Sequence, residues 1–535
     1  MNLLPAARHA RGVVFVVACL AALAQSSAAL AHASLVRSEP SDRAVVAQSP
    51  AALRLTFNEP VSPLVLQLVS PTGETVDVKH VAGENATIIV VPLGALARGT
   101  HLLSWRVISA DGHPVGGAIT FSVAAPSAAA PGLPQLQTDR PLRWAIWAAK
   151  LILYVGLFGG IGGAFYAAWI ATEPLSRRTG KCVTAALDCG LVAAVISVGL
   201  QGADAFGLPL SDLREPRVWM GGLATSYGLT AGIAAGALVF GRIAMWRVRG
   251  RLFSTLALAG VGAALAASGH ASSAEPQLLT RPAVFVHGIV VAFWIGALVP
   301  LAAVMRSPDR RAVELARFSR AIPTAIILLI ASGISLAIVQ LRQVDALWTT
   351  GYGLVLCGKL IAVLALVALA ALNRFALTLR VVAGDSFAAR RITRSIAAEL
   401  LIALLALGFV AAWRFTPPPR ALFAAAEAPV HVHIHSDRAM ADLTIEPAAG
   451  SGRQITVSVL DGQFGPLLAK EVTLVLAKPE AGIEPLRLPA THVESTIWRI
   501  DRVYLPMLGG WRVRVEILVN DFEKIPLEDR IDLLR

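Results

Sequence analysis

The sequence predicts a membrane all-α bundle of eight transmembrane helices flanked by two periplasmic all-β sandwich domains. Three observations lead to this prediction. Only 15% of the 535 residues are charged, against about 25% in soluble globular chains. Apolar runs near the length that crosses a bilayer recur through the middle of the chain. Short alternating patterns typical of strands lie before and after that region.

The chain begins with the pattern of a secretory signal peptide, predicted over residues 1–31. Arg8 and Arg11 precede the apolar stretch Val13–Leu23, and a small-x-small cleavage site ends at Ala31. Cleavage there makes His32 the first mature residue, although any residue could follow the cut by chance. The four cysteines lie in the leader or in apolar segments. Neither β-domain can therefore contain a disulfide.

Residues 32–125 are predicted to form the first β-domain, followed by a linker over residues 126–140 that is rich in Ala and Pro. The predicted strands are Leu53–Phe57, Leu64–Val69, Thr87–Val91, His101–Ile108 and Ala118–Val123. Trp105, in mid-strand, is expected to anchor the core. His80 and His101 are expected on the surface.

Three features of this domain resemble the CopC copper-binding family: His32 at the mature start, LRLTFNEP at Leu53–Pro60, and Trp105 followed by SADGHP at Ser109–Pro114. The resemblance implies one Cu(II) ion bound by His32, Asp111 and His113. Nitrogen and oxygen ligands of this kind suit Cu(II). Taken alone, Asp-Gly-His is more typical of an ordinary turn. Some family members carry a Met-rich Cu(I) site, but this domain contains no Met, so only the Cu(II) site is expected.

The membrane domain is predicted over residues 141–415. Its eight spans are about 142–171, 184–204, 221–243, 252–270, 282–305, 319–341, 353–373 and 396–414.

Basic residues are concentrated in alternate connections between the spans. Four connections carry Arg177, Arg178 and Lys181; Arg242, Arg247, Arg249 and Arg251; Arg306, Arg310, Arg311, Arg317 and Arg320; and Arg374, Arg380, Arg390, Arg391 and Arg394. The other three carry only Arg214, Arg217, Arg281 and Arg342. Basic connections face the cytoplasm, so both β-domains are expected in the periplasm, as the signal peptide also requires.

Two histidines stand out in the spans, because ionisable residues inside membranes are uncommon and often functional. His270 ends the fourth predicted span, and His287 lies about one turn into the fifth. They are expected at similar depth near the periplasmic side, where they could share a metal or a haem. The alternative is that each is an interfacial residue bonded to nearby backbone.

Several stretches resemble the CopD membrane family: Gly269-His270, then His287 with Trp294-Ile-Gly296, RFSRAIP at Arg317–Pro323, Gly358–Asn373 with its Lys359, and Glu399. The resemblance implies copper uptake or copper resistance, and CopD proteins often occur fused to CopC. It makes His270 and His287 the candidate membrane copper site, with Cu(I) as a possible cargo there. Asp188, Asp204, Lys150 and Lys359 could pair with each other or line a path.

The second β-domain is predicted over residues 425–535. Its strands are Val430–His435, Ala441–Ile445, Gln454–Leu460, Glu471–Leu476, Trp498–Tyr504 and Trp511–Ile517. His431, His433 and His435 alternate, so their side chains project from one strand face and could share an ion. The alternative is the polar face of an edge strand. Met440, His492 and Met507 might complete a site. The segment resembles YtkA-like domains of periplasmic copper-related proteins.

Three functions remain open on these observations: copper transport or homeostasis with import favoured, periplasmic copper delivery without transport, and a haem or copper redox protein. We expect a non-enzyme whose ligand is copper, with membrane lipid around it and periplasmic copper chaperones as possible partners. Nucleic acid is not expected, because the positive charge lies mainly in the short connections. Nucleotide is not expected either, because the sequence contains no Walker motif.

Overall fold

The computed structural model describes residues 33, 35–81, 86–109, 114–127, 140–246, 249–269, 271–426, 429–448, 452–463, 465–505 and 509–533. The predicted signal peptide, at residues 1–31, lies outside this part of the chain. The chain divides into two compact units: one contains the helical region, and the other contains both β-domains.

The N-terminal β-domain contains seven strands. They are β1 Leu35–Glu39, β2 Ala44–Val46, β3 Ala52–Val69, β4 Thr75–Asp77, β5 Ala86–Pro92, β6 Gly99–Ser109 and β7 Pro114–Val123. The strand order is β1-β3-β6-β7-β2, with β4 and β5 also paired to β3. All neighbours are antiparallel except β2 and β7, which pair in parallel.

Strand β3 organises this domain, because its two halves pair with different partners. Residues 52–57 pair with β1 and β5, whereas residues 61–69 pair with β6 and β4. The register shifts near Pro63, where a backbone donor is missing. The sequence predicts two strands here, Leu53–Phe57 and Leu64–Val69, but the two halves form one continuous strand. The described strands therefore form a single sheet, which β3 connects because different strands pair along its first and second halves.

The core of this domain confirms one expectation and corrects another. Trp105 is buried and meets Phe57 edge-to-face, with ring centroids 5.2 Å apart. His101, expected on the surface, is only 2% exposed. Its ring stacks on Phe121 at 5.6 Å, and Nε2 lies 2.8 Å from the Ala97 carbonyl oxygen. An imidazole with one satisfied nitrogen and an aromatic neighbour packs in a core as a flat aromatic ring does. His80 is exposed, as expected.

Within the part of the chain that the structure describes, eight helices are long and apolar enough to cross a membrane. They are α1 Arg140–Trp169, α2 Arg177–Phe206, α3 Ser226–Ala244, α4 Gly250–Ala267, α5 Gln277–Val304, α6 Pro308–Leu341, α7 Gly351–Val382 and α8 Ser386–Phe415. Two of them contain a π-helical segment, Val155–Ile161 in α1 and Asn373–Leu377 in α7. The chain is thus a multi-pass membrane protein, as the sequence predicts.

The helices extend further than the apolar runs. α6 begins at Pro308 rather than near 319, and α8 at Ser386 rather than near 396, because the arginine-rich segments before these runs are also helical. α5 begins at Gln277, and Pro282 is accommodated near its first turn. His287 therefore lies ten residues inside this helix, not one turn from its start. The third predicted span is split, because a short helix Pro216–Ala224 ends before Thr225 and α3 follows it.

Two glycines allow α1 and α5 to pack closely. A Cβ atom added to Gly296 would lie 2.3 Å from the Cα atom of Gly162, and one added to Gly162 would lie 1.8 Å from the Ala292 carbonyl oxygen. Small residues at such contacts are the usual basis of tight helix packing in membranes. The backbone of α5, which carries His287, is therefore fixed against α1.

A buried carboxylate joins the end of α1 to the start of α6. Glu314 is fully buried and accepts hydrogen bonds from the Tyr166 hydroxyl at 2.8 Å and from the Thr172 backbone N–H and hydroxyl at 3.0 and 2.8 Å. Arg310, one turn earlier, donates from Nε and Nη2 at 3.0 and 2.9 Å. Because charge and hydrogen bonds are both satisfied, this network can hold an ion pair away from water.

The C-terminal β-domain is a sandwich of two sheets. Its strands are β8 Val430–His435, β9 Ala439–Pro447, β10 Arg453–Asp461, β11 Glu471–Lys478, β12 Ile483–Pro489, β13 Thr491–Glu494, β14 Ile497–Val503, β15 Gly509–Asn520 and β16 Glu523–Leu533. One sheet has the order β13-β14-β10-β9-β8 and the other β12-β11-β15-β16. Leu443, Val457, Leu474 and Trp511 belong to the common core between them.

Candidate functional site

The residues proposed for the Cu(II) site, His32, Asp111 and His113, lie outside the described residues. The strands that lead to them are described. Leu35 at the start of β1 pairs with Phe57, and Ser109 at the end of β6 pairs with Val61. β5 pairs with β3 at both Thr56 and Val61, so β1 and β6 lie on the same edge of β3, opposite β5. The described ends of both segments therefore adjoin one short stretch of β3, and the two pairing positions are four residues, or about 13 Å, apart along the strand.

That stretch of β3 contains a carboxylate that the sequence analysis missed as a site residue. Glu59 is only 1% exposed, although glutamate is rarely buried in proteins. It belongs to the LRLTFNEP sequence and lies between the two pairing positions Phe57 and Val61. A buried carboxyl group therefore lies on the stretch of β3 that both described strand ends adjoin.

In the membrane domain, the structure describes one of the two proposed site histidines. His287 on α5 lies with its Nδ1 atom 3.0 Å from the Ser332 hydroxyl oxygen on α6. The Ser332 hydroxyl itself donates to the Leu329 carbonyl oxygen at 3.1 Å. Since that hydroxyl has one hydrogen, His287 Nδ1 is the donor, and its Nε2 carries the lone pair available to a metal. His270 lies outside the described residues, so sharing of an ion by the two histidines stays a prediction.

His287 lines a cavity of about 760 Å³ between α5, α6, α7 and α8. The cavity is mainly apolar, and Lys359 and Trp294 also line it. The Lys359 ammonium lies 4.8 Å from the Trp413 ring centroid, in cation–π range. Gly333 on α6 lies beside the imidazole, since an added Cβ atom would meet His287 Cε1 at 3.5 Å, an ordinary van der Waals distance.

A second buried polar group lies further along α5. Trp294, seven residues after His287, adjoins a smaller cavity of about 40 Å³ that Glu399 and Asn373 also line. Glu399 is 2% exposed and accepts a hydrogen bond from Asn373 Nδ2 at 2.6 Å. Asn373 begins the π-helical segment of α7, and such segments are frequent at functional sites. The seven-residue spacing corresponds to about 10 Å along the helix.

The other charged membrane candidates divide into pairs and single contacts. Asp188 pairs with Arg242 at 3.3 Å, and Asp204 forms an ion pair with Arg414. These two ion pairs do not support the alternative that Asp188 and Asp204 line a path. The Lys150 ammonium lies 6.0 Å from the Tyr154 ring centroid.

The three alternating histidines of β8 share one face, as predicted. Their cross-strand partners on β9 are Thr444, Asp442 and Met440, in the order His431, His433, His435. β8 is the edge strand of its sheet. His492 lies on β13, the opposite edge, and hydrogen-bonds the Ser495 carbonyl oxygen at 3.1 Å. It therefore cannot complete a site with β8, and Met507 lies outside the described residues.

The pKa values of two of these histidines are lowered. Partial burial, and then the positive charge of Arg37, lower the pKa of His431. Partial burial, and then His433, lower the pKa of His435. Both imidazoles are therefore neutral at neutral pH, the form that binds metals. Among the described residues, no group of three or more His, Cys, Asp or Glu side chains is placed to hold one metal ion.

Comparison with known proteins gives matches in both the first β-domain and the helical region. A family model described as CopC domain matches residues 35–124, and one described as Copper resistance protein D matches residues 312–413. Copper transport protein CutJ of Bacillus subtilis (strain 168) is 24% identical over 538 residues, covering 92% of this chain and 94% of that protein.

Two further relatives match the N-terminal part alone. Copper resistance protein C of Xanthomonas campestris pv. juglandis is 37% identical over 123 residues, covering 21% of this chain and 96% of that protein. The crystal structure of CopC from Methylosinus trichosporium OB3b has 29% sequence identity, covers 18% of this chain and 98% of its own, and gives a TM-score of 0.17. The chain therefore belongs to the CopC copper-resistance family through its first β-domain, and in the same chain residues 312–413 match the CopD family model.

Proposed function

We propose that this protein binds copper on the periplasmic side of the bacterial inner membrane and imports it through its helical domain. One observation carries the proposal: a CopC domain and a CopD domain occur in a single chain, and a relative named as a copper transport protein aligns with 92% of it. Eight membrane-length helices supply the span that transport requires.

The first step is capture of Cu(II) by His32, Asp111 and His113. Signal cleavage after Ala31 gives His32 a free α-amine beside its ring nitrogen, and His113 adds a second imidazole. The pairing of Leu35 with Phe57 and of Ser109 with Val61 supports this site, because it places both segments beside the same stretch of β3. The Glu59 carboxyl group on the same stretch is an oxygen donor of the kind that suits Cu(II).

The second step is entry into the membrane at His270 and His287. Ser332 fixes the His287 tautomer so that Nε2 is the coordinating atom, and His270, three residues after α4 in the sequence, supplies the second imidazole. The cavity beside His287 reaches Trp294, which also lines the smaller cavity at Glu399, and these two cavities mark the proposed route of the copper ion. Glu399 is a carboxylate that can receive the cation, or a proton moving against it, deeper in the bundle.

Both β-domains face the periplasm in this proposal. The support is the concentration of arginine and lysine in alternate connections between the spans. The resemblance of the C-terminal domain to YtkA-like domains fits the same compartment, where copper chaperones would be the partners. An alkaline phosphatase fused after residue 535 should be active, and an inactive phosphatase with an active cytoplasmic reporter would contradict this orientation.

Copper influx into proteoliposomes tests transport directly. The purified mature chain is reconstituted with a copper indicator inside the vesicles, and copper is added outside. Influx should exceed that of empty vesicles, and His287→Ala should return it to their level while the protein stays inserted. Equal influx in wild-type and empty vesicles would overturn transport.

The Cu(II) site has its own test, independent of transport. One residue added before His32 displaces the α-amine from the metal, so Cu(II) affinity should fall by orders of magnitude. Electron paramagnetic resonance of the mature chain and of the extended chain measures this change. Identical spectra and affinities would contradict the assignment of His32.

A further inference from the structure

The outer face of β8 and β9 carries residues whose burial the sandwich core does not explain. Along β9, Ala439, Ala441 and Leu443 point into the core. Met440 and Asp442 alternate with them and therefore face the other way. They lie opposite His435 and His433 on β8. Met440 is nevertheless only 1% exposed, and His433 is 7% exposed.

The protonation of His433 is set by its neighbour. Its Nδ1 atom lies 2.7 Å from the Asp442 carboxylate oxygen Oδ1. An ionised carboxylate only accepts hydrogen bonds, so Nδ1 carries the hydrogen and Nε2 carries the lone pair. A carboxylate on the far nitrogen of an imidazole is the usual arrangement behind a metal-binding histidine.

The Nε2 lone pair of His433 has no hydrogen-bond partner among the described residues. Nε2 is buried and makes no hydrogen bond with any described residue, and the same is true of His435 Nδ1. A buried polar atom without a partner is unfavourable and calls for an explanation, such as an ion that occupies the place. Two such imidazole nitrogens on neighbouring residues of one strand face point to the same explanation.

The two imidazoles and the thioether are close enough for one ion. The His433 and His435 ring centroids are 6.4 Å apart with an interplanar angle of 13°. At least one ring must turn about its Cβ–Cγ bond for both lone pairs to meet at a metal. Met440 is directly opposite His435, and directly paired residues have Cβ atoms about 5 Å apart. The three side chains thus occupy one corner of the sheet face.

We propose that His433, His435 and Met440 form a Cu(I) site, with Asp442 as the residue that positions His433. Thioether sulfur is a soft ligand that selects Cu(I), and imidazole also binds copper. His431 is not a ligand, because it is exposed and its Nδ1 atom lies 3.0 Å from the Thr444 hydroxyl. The site goes beyond capture and transport: it gives the C-terminal domain a copper-holding role of its own.

Competition for Cu(I) tests the proposal on the full-length protein in detergent. Copper is supplied anaerobically as Cu(I), and a chromophoric Cu(I) chelator removes what the protein holds weakly. His433→Asn and His435→Asn should each retain one Cu(I) equivalent fewer than the wild type. His431→Asn, on the same strand face, is the matched control and should retain the wild-type number. If neither of the first two variants loses an equivalent, or if the control loses one as well, the site is wrong.

Met440→Leu provides a test that preserves packing, since the two side chains have similar volume. X-ray absorption should show a sulfur neighbour of copper in the wild type that weakens in this variant, and Cu(I) affinity should fall at least tenfold. An unchanged sulfur signal with unchanged affinity would overturn the role of Met440.

Asp442→Asn separates positioning from folding. It should weaken Cu(I) binding about 10–100-fold without changing the copper neighbours seen by X-ray absorption, and unchanged affinity would contradict its role. The Cu(II) resonance signal of the N-terminal domain is read separately in every variant. Failure of the Cu(I) site therefore leaves the proposed Cu(II) capture untouched, and the reverse also holds.

Discussion

Replacing Ser332 by Ala should weaken copper handling in the membrane while leaving the fold intact. The Ser332 hydroxyl oxygen is the acceptor 3.0 Å from His287 Nδ1, so its loss frees the imidazole to change tautomer and to turn. Loss of a residue that orients a metal-binding imidazole typically costs 10–100-fold in metal affinity, or about 1.4–2.8 kcal/mol. The cost in stability should be near 0.6 kcal/mol, the average for one hydrogen bond between membrane helices.

Copper influx into proteoliposomes measures the effect. The half-saturating copper concentration of Ser332→Ala should rise by about 10–100-fold, with a normal yield of folded protein on size-exclusion chromatography. Ser335→Ala is the matched control, because Ser335 is partly exposed on the same helix and its hydroxyl donates to the Ala331 carbonyl oxygen at 2.9 Å. If Ser332→Ala and Ser335→Ala have the same half-saturation, the hydrogen bond does not orient His287 for copper.

Three further changes test the scaffold and the C-terminal domain. Glu314→Ala should lower stability by about 3–5 kcal/mol, because it removes the nearest carboxylate of the mostly buried Arg310 and leaves it only Glu173 at 3.7 Å. Tyr166→Phe should cost only about 1 kcal/mol. Thermal unfolding in detergent ranks the two, and equal losses would contradict the buried network. Gly296→Ala should lower stability by about 1–3 kcal/mol, because the added methyl group pushes α5 away from Gly162. Gly232→Ala is the control and should be neutral, since an added Cβ atom there meets nothing within 4 Å. Thermal unfolding compares the two variants, and an unchanged stability of Gly296→Ala would refute the close contact. Hydrogen bonds and charge from Lys524, together with Arg487, lower the pKa of Glu516. The Glu516 carboxylate therefore contributes fully to stability above about pH 4.5, and this contribution is lost as the pH falls through the lowered pKa. The denaturation midpoint of the wild type should exceed that of Glu516→Gln at neutral pH and approach it in acid, and a difference that stays constant with pH would be evidence against this pairing.

Local patterns in the sequence predicted the elements that local physics determines. β8 occupies the predicted residues Val430–His435, because alternation with β-branched residues is a strong strand signal. All eight spans were found, because their apolar length is a property of each segment alone. The common face of the three β8 histidines followed from strand geometry in the same way.

Features that depend on tertiary neighbours were missed. β16 was not predicted, since its charges and Pro526 argue against a strand, yet it is an edge strand and an edge tolerates proline. The burial of His101 depends on Phe121, and the Ser332 partner of His287 comes from a different helix. The Glu314 network joins residues more than 140 positions apart. In each case the partner lies outside the stretch of sequence around the residue, so a local pattern does not reveal it.

The π-helical segment Asn373–Leu377 has a consequence for how this helix can change. A π turn is equivalent to one extra residue inserted into an α-helix, so it offsets the rotation of the residues after it by about 100°. Lys359 before the segment faces the large cavity, while Leu377 at its end and Val381 after it pack in the core. The extra residue lets side chains before the segment face the cavity while side chains after it face the core. Deleting one residue there would shorten α7 by a single position. If the part of α7 before the segment kept its place, the buried residues after it would rotate out of their packing positions. If the part after it kept its place, Asn373 would rotate away from Glu399.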